Sequence, residues 1–111
     1  MSAKQAAGAA AESLAADFLA ARGLELVERN FRVRGGEIDL VCRGCGGIVF
    51  VEVRSRSSGA YGGAAASITA AKQARLTLAA RHWLARHGEQ ACRFDCVLIE
   101  GGRIEWLQNA F

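Results

Sequence analysis

The sequence predicts an α/β domain in which two helices flank a mixed sheet built around an antiparallel hairpin. The order of patterns along the chain is helix, strands, helix, strands. The helical windows are rich in alanine and leucine, whereas the strand windows are apolar runs separated by glycine turns. A chain of 111 residues without proline, linker or repeat fits one domain over residues 1–111.

The first helix is predicted over residues 3–22, which consist largely of alanine and other helix formers. Apolar side chains recur there at helical spacing, at Ala7, Ala11, Leu14 and Phe18. Gly23 suits the position just past the helix end. Because Glu12 and Asp17 interrupt the apolar run, it predicts neither a secretory segment nor a membrane span, and we expect a cytoplasmic protein without a membrane partner.

Three strands are predicted next, LELVERNFRV at 24–33, GEIDLVC at 36–42 and IVFVEVRS at 48–55. The sequence RGCG at 43–46 separates the last two strands and predicts a four-residue hairpin loop. After the glycine-rich bend at 57–67, Ser67 is the expected N-cap of a second helix over 68–87, which Gly88 ends. The strands CRFDCVLIE and RIEWL, around a Gly-Gly turn, complete the sheet, and both tryptophans are expected in the core.

Charged residues interrupt the two apolar runs of the predicted hairpin. With a four-residue loop, the simplest register sets Asp39 opposite Glu52 and Glu37 opposite Arg54, with Cβ atoms about 5 Å apart. The other face carries an apolar set that is sufficient as a core face, namely Ile38, Leu40, Val49, Val51 and Val53. The acids are therefore not needed to form the strands.

Two interpretations of these acids remain open from the residues alone. Glu37 can pair with Arg54, and Asp39 with a basic residue elsewhere, on a solvated face. Alternatively, Asp39 and Glu52 hold a divalent cation, because close carboxylates repel unless a cation lies between them. Mg²⁺ takes few protein carboxylates and completes its shell with water and phosphate oxygens.

The four cysteines raise the possibility of zinc, since Cys42 and Cys45 form one candidate ligand pair and Cys92 and Cys96 another. Strand alternation instead predicts that the second pair points into the core with the apolar residues around it. The first pair flanks a glycine-rich turn. We therefore expect no zinc, and no disulfide in a cytosolic chain.

A basic stripe is predicted on the second helix, because Lys72, Arg75, His82 and Arg86 recur at offsets that bring them to one face. Such a face can follow a phosphate backbone, although it can equally be a solvated helix side. The net charge of +3 and the pI near 8.9 permit a polyanionic partner without requiring one.

The segments AESLAADFLAARG, GEIDLV, FVEVRSR and YGGAAASITAAKQARL resemble the YraN-like family of bacterial proteins across nearly the whole chain. That family is similar to the restriction-endonuclease-like superfamily, whose signature is an aspartate followed on the next strand by Glu-x-Lys. Asp39 matches the aspartate, and Glu52-Val53-Arg54 matches the second half with arginine in place of lysine. The resemblance implies a restriction-endonuclease-like fold.

The resemblance also implies a site. Asp39 and Glu52, with the main-chain carbonyl of Val53, would hold Mg²⁺ or Mn²⁺, and Glu12 would bring a further acid to that metal, unless it is a solvated helix acid. Arg54 would stabilise phosphate charge but could not act as a general base, because arginine does not lose its proton. Two supporting roles follow, with Glu37 holding Arg54 and Gln73 lying near the metal as a polar residue.

The function implied is a Mg²⁺-dependent endonuclease that hydrolyses phosphodiesters in structured DNA, similar to junction resolvases. Two alternatives stay open: a catalytically silent nucleic-acid-binding module of the same fold, and a small interaction protein without nucleic-acid activity. By analogy with junction-cleaving nucleases, a homodimer is expected.

Overall fold

Two helices and five strands make up the fold in the computed structural model, which describes residues 2–44, 46–56 and 68–111. In chain order they are α1 (Ala3–Ala20), β1 (Glu25–Val33), β2 (Gly36–Gly44), β3 (Gly47–Arg56), α2 (Ala70–His87), β4 (Cys92–Glu100) and β5 (Arg103–Leu107). Neither helix has the length and apolarity that crossing a bilayer requires, within the part of the chain that is described.

The five strands form one mixed sheet in the order β1-β2-β3-β4-β5. Neighbouring strands are antiparallel except β3 and β4, which are parallel and are connected through α2. A parallel pair needs a long crossover, and a helix is the usual one. The α/β class and the mixed sheet predicted from the sequence are therefore confirmed.

Both faces of the sheet are covered, which explains why β3 is apolar almost throughout. Alternate residues of β3, Val49, Val51 and Val53, pack with α1, whereas Ile48 and Phe50 pack under α2. The interpretation that places the charged hairpin face in solvent is therefore not supported, because α2 covers that face. Ile38 was also misplaced, because it joins the cluster under α2 while its neighbour Leu40 joins the cluster under α1.

The helix α1 ends at Ala20, two residues earlier than predicted, and Gly23 follows in the left-handed region with φ 96°. The N–H of Leu24 donates to the Leu19 carbonyl, and the N–H of Gly23 to that of Ala20, which is the Schellman pattern. Ala15 and Leu19 are buried, whereas Leu14 is 47% exposed. An alanine-rich helix offers little hydrophobic contrast, so spacing alone could not determine which side is buried.

The loop of the hairpin is shorter than predicted. Pairing continues through Arg43 with Ile48 and Gly44 with Gly47, which the prediction had placed in or beside the loop. The register of the remaining pairs is nevertheless the predicted one, because lengthening both strands equally leaves the opposed residues unchanged.

The helix α2 begins at Ala70, and its N-cap is Thr69, whose hydroxyl accepts from the N–H of Lys72. The predicted cap, Ser67, lies outside the described residues. Gly36 of β2 lies directly below the helix: a Cβ there would collide with the Arg75 carbonyl oxygen and lie 3.2 Å from the Ala79 nitrogen. Glycine therefore allows α2 to approach β2 closely.

Candidate functional site

The site is built where β2 and β3 separate. Their pairing ends at Leu40 opposite Val51. Two residues beyond Val51, the N–H of Val53 donates to the Asp39 carboxylate, at 2.8 Å. A side chain thus accepts a hydrogen bond at a position where sheet pairing would use a main-chain carbonyl. The same register brings Glu52 opposite Asp39, as the sequence predicted.

Asp39 and Glu52 lie close enough to share a proton. Burial, a hydrogen bond with Asp39 and the negative charge of Asp39 together raise the pKa of Glu52 from 4.5 to about 9. The positive charges of Arg54 and Lys72 oppose this rise. Two carboxyl groups that share one place cannot both ionise easily without a cation. The pair is therefore electrostatically prepared for a positive ligand.

An open cleft of about 410 Å³ reaches this pair. Both helices line it, although they pack on opposite faces of the sheet, because the cleft lies at the fork between the strands. The lining residues are Ala7, Gly8, Ala11, Glu12, Glu37, Asp39, Glu52, Val53, Arg54, Ser55, Lys72, Arg75 and Leu76. The cleft thus combines acids at the fork with three cations, Arg54, Lys72 and Arg75.

Lys72 reaches the cleft because it lies on the core side of α2. Spacings of four, three and four residues connect it to Leu76, Ala79 and Trp83, all of which are buried. Burial, followed by the charge of Arg54, lowers the pKa of Lys72, while Glu52 opposes the shift. A lysine that continues a buried stripe is directed towards the sheet rather than towards solvent.

Glu12 lines the cleft from α1, but its carboxylate is bound elsewhere. It accepts from the Asn30 amide at 3.1 Å and from Arg29 at 3.5 Å, and its side chain is only 15% exposed. It is therefore not the solvated helix acid of the alternative interpretation. Among the described residues, no three His, Cys, Asp or Glu side chains converge on one metal position.

Glu37 has a different partner from the one predicted. Its carboxylate pairs with Arg32, directly opposite on β1, at 3.2 Å. The role of Glu37 in holding Arg54 stays a prediction, since the ion pair described for Glu37 is the one with Arg32. Arg54 still lines the cleft, next to the acid pair.

The predicted basic stripe divides along α2. Lys72 and Arg75 line the cleft, whereas Gln73, His82 and Arg86 are not among its lining residues. His82 is exposed, and the guanidinium of Arg86 lies 5.3 Å from the Phe31 ring centre, towards the other end of the helix. Of the four residues of the stripe, Lys72 and Arg75 are thus the two that line the cleft.

The cysteines differ in their surroundings. Cys42 and Cys96 are buried, and burial is the main cause that raises the pKa of each thiol to about 11. The expectation that Cys92 points inward was wrong: it is exposed at the first position of β4, where the strand begins. Cys45 lies outside the described residues.

Sequence reasoning missed Asp95, which is fully buried in β4. Its carboxylate accepts from Arg93, from the indole N–H of Trp106 at 2.8 Å and from the N–H of Asn109 at 2.8 Å. It therefore ties the end of the chain to the sheet. An acid among apolar strand residues was the available signal, and it was applied only to Asp39 and Glu52.

The fold and the cleft together define an α/β protein with a paired-carboxylate site at a strand fork. The chain belongs to the family described as "Uncharacterised protein family UPF0102", whose model matches residues 11–99. This confirms the YraN-like family predicted from the sequence.

Relatives with the same family name cover most of the chain. A UPF0102 protein of Dechloromonas aromatica is 58% identical over 106 residues, which are 96% of this chain and 88% of the relative. One of Nitrosomonas europaea is 59% identical over 108 residues, covering 94% and 92%. One of Nitrosomonas eutropha is 55% identical over 113 residues, covering 100% and 97%.

Proposed function

We propose that this protein is a metal-dependent nuclease that hydrolyses phosphodiester bonds in structured DNA. The observation that carries the proposal is the facing pair Asp39 and Glu52 at the fork, in a cleft that also contains Arg54 and Lys72. Carboxylates for a cation beside fixed positive charges form the combination that a phosphodiester requires. In the same proposal, the fold is restriction-endonuclease-like.

The residues present fit a divalent cation. Two carboxyl groups and the main-chain carbonyl of Val53 would hold Mg²⁺ or Mn²⁺. Burial and the neighbouring Asp39 carboxylate raise the pKa of Glu52, and a positive ligand there would oppose both effects. The small number of protein ligands suits Mg²⁺, which keeps several waters and takes phosphate oxygens. When bound, the ion supplies activation of a water and neutralisation of phosphate charge.

The chain's own cations orient the substrate. Lys72 and Arg75 from α2, together with Arg54 from β3, line the cleft and would bind the phosphate oxygens. Arg54 stabilises the charge that grows on the phosphate but cannot remove a proton, because a guanidinium stays protonated. Asp39 also accepts the Val53 N–H, which holds its carboxylate in place.

The metal part of the proposal is tested by thermal denaturation with and without Mn²⁺ or Mg²⁺. A ligand at about a hundredfold excess over its Kd stabilises the folded state by about 2.7 kcal/mol. We expect a rise in melting temperature that Asp39→Asn abolishes, since an amide can still accept the Val53 N–H but no longer binds the cation. Asp17→Asn, the same change at an exposed acid of α1, should keep the rise.

The chemistry is tested with branched, single-stranded and duplex DNA in the presence of Mn²⁺. Glu52→Gln should retain or tighten binding, because it removes a negative charge beside the phosphate, while cleavage at saturating DNA is lost. Binding without cleavage in the wild type would indicate the silent module. If the wild type neither binds nor cleaves any of them, the protein does not act on nucleic acid.

A further inference from the structure

We infer that a pocket beside the cleft binds the nucleotide next to the scissile phosphate, so that the substrate strand crosses α1 at Gly8; this rests on the proposed function. This side pocket, of about 500 Å³, is lined by Gln5, Gly8, Ala9, Glu12, Asn30 and Arg32. It shares Gly8 and Glu12 with the cleft. The two cavities are therefore adjacent, and each has the volume of a small ligand.

Gly8 lies between the two cavities, and the space above it is open. A Cβ built there would meet nothing within 4 Å among the described residues beyond its own helix backbone. Gly8 lies inside α1, where glycine costs about 0.5–1 kcal/mol relative to alanine, and neither a turn nor close packing requires it. Open space above a helix position that leads from one cavity to the other is what a crossing strand would use.

Arg32 supplies the side pocket with positive charge. Its side chain is 70% exposed, and its Nε atom donates the hydrogen bond to Glu37. A guanidinium has five N–H donors, so the N–H groups of its outer nitrogens can donate to a phosphate oxygen. An exposed ion pair of this kind is also weak enough to exchange one anion for another.

Polar amides complete the side pocket. The Asn30 backbone lies in the left-handed region with φ 54°, and its amide donates to Glu12, the residue shared by both cavities. The lining residues include no aromatic side chain on which a base could stack. The pocket is therefore suited to the sugar and phosphate, and binding there should depend little on base sequence.

The first experiment measures binding of single-stranded oligothymidylates of increasing length by fluorescence anisotropy. Arg32→Ala, made in a Glu37→Gln background so that no carboxylate loses its partner, should weaken binding of the longer oligonucleotides by about tenfold. It should also reduce the slope of the logarithm of the binding constant against the logarithm of the salt concentration by about one unit. These changes are measured against Glu37→Gln alone, because Glu37 lines the cleft. The shortest oligonucleotide, which fills only the cleft, should bind the double variant as it binds Glu37→Gln.

The matched control is Arg43→Ala in a Glu25→Gln background. This pair is also directly opposed between β1 and β2, at 3.0 Å, but neither residue lines either cavity. It should leave binding at every length unchanged. Equal effects of the two arginine variants would overturn the inference.

The second experiment blocks the passage. Gly8→Leu should weaken binding of the longer oligonucleotides, whereas Ala10→Leu, on an exposed side of the same helix, should not. If Lys72→Ala weakens binding at all lengths while Gly8→Leu and Arg32→Ala do not, the side pocket is not used, although the proposed function stands. If the wild type binds no single-stranded oligonucleotide at any length, the inference fails, and the branched and duplex substrates then decide the proposed function.

Discussion

At the scale of single residues, Asp39 has two roles that use different properties of one carboxylate. It completes the β2–β3 pairing by accepting the Val53 N–H, and it faces Glu52 across the fork. The first role needs only an oxygen acceptor, whereas the second needs a negative charge. Substitution by asparagine separates the two, so a loss of metal response in Asp39→Asn would not be due to unfolding.

The raised pKa of Glu52 predicts that stability depends on pH in the absence of metal. Because the folded-state pKa lies above the ordinary value of 4.5, folding retains a proton that the unfolded chain releases. The contribution is fully present below about pH 4.5 and is lost as the pH rises towards about 9. The groups that face Glu52 are Asp39 and Arg54 from the sheet and Lys72 from α2.

Thermal denaturation in EDTA across this pH range provides the measurement. The melting temperature of the wild type should fall with rising pH, and that of Glu52→Gln should fall less. Glu105→Gln, at an exposed acid of β5, should follow the wild type. A wild-type profile parallel to that of Glu52→Gln would show that the carboxyl pair does not titrate in this way.

At the scale of elements, the position of α2 decides which of its side chains reach the site. The helix contacts β2 at Gly36, close to the point where β2 leaves β3. This contact holds the first two turns of α2, with Lys72 and Arg75, over the fork. The position of α2 therefore depends on a glycine outside the cleft, and the positions of the cations inside the cleft depend on α2.

Gly36→Ala should displace α2 and destabilise the protein by about 1–3 kcal/mol, the usual cost of overpacking. Gly8→Ala should instead stabilise it by about 0.5–1 kcal/mol, since the added methyl group meets open space in a helix. Urea denaturation of both variants measures the difference. If Gly36→Ala were as stable as the wild type, the close approach of α2 would not depend on glycine.

At the scale of the whole molecule, the small net charge of +3 conceals an uneven distribution. Acids meet at the fork, cations from α2 and β3 surround them, and Arg86 lies over Phe31 towards the other end of the second helix. Association with a polyanion would depend on the few cations at the cleft. The homodimer expected by analogy stays a prediction.

The double change Lys72→Ala and Arg75→Ala should weaken DNA binding and reduce the salt-dependence slope by up to about two units, because two phosphate contacts are lost. His82→Ala with Arg86→Ala changes the same stripe farther along α2 and should have little effect. Titrations at several salt concentrations compare the two. Equal losses in both pairs would mean that the whole stripe binds DNA.

The sequence was sufficient to predict each strand and helix to within a few residues, together with the facing of Asp39 and Glu52. Strand register depends on alternation within neighbouring segments, so a hairpin can be aligned without knowledge of the rest of the molecule. The side of α1 that is buried could not be predicted, because its alanines are nearly equivalent. The predicted N-cap of α2 and the predicted ends of the hairpin loop were wrong by up to two residues, because neighbouring residues suit each of these positions almost equally well.

The sequence by itself determined the order of the elements, the mixed α/β class and the opposed carboxyl pair, because these follow from short-range periodicity. Only the tertiary structure decided that β2 and β3 separate at Asp39, that Glu37 pairs with Arg32, and that Lys72 reaches the cleft while Gln73 does not. These features depend on contacts between segments far apart in the chain. Such contacts are set by how closely each helix can approach the sheet, which in α2 depends on the absence of a side chain at Gly36.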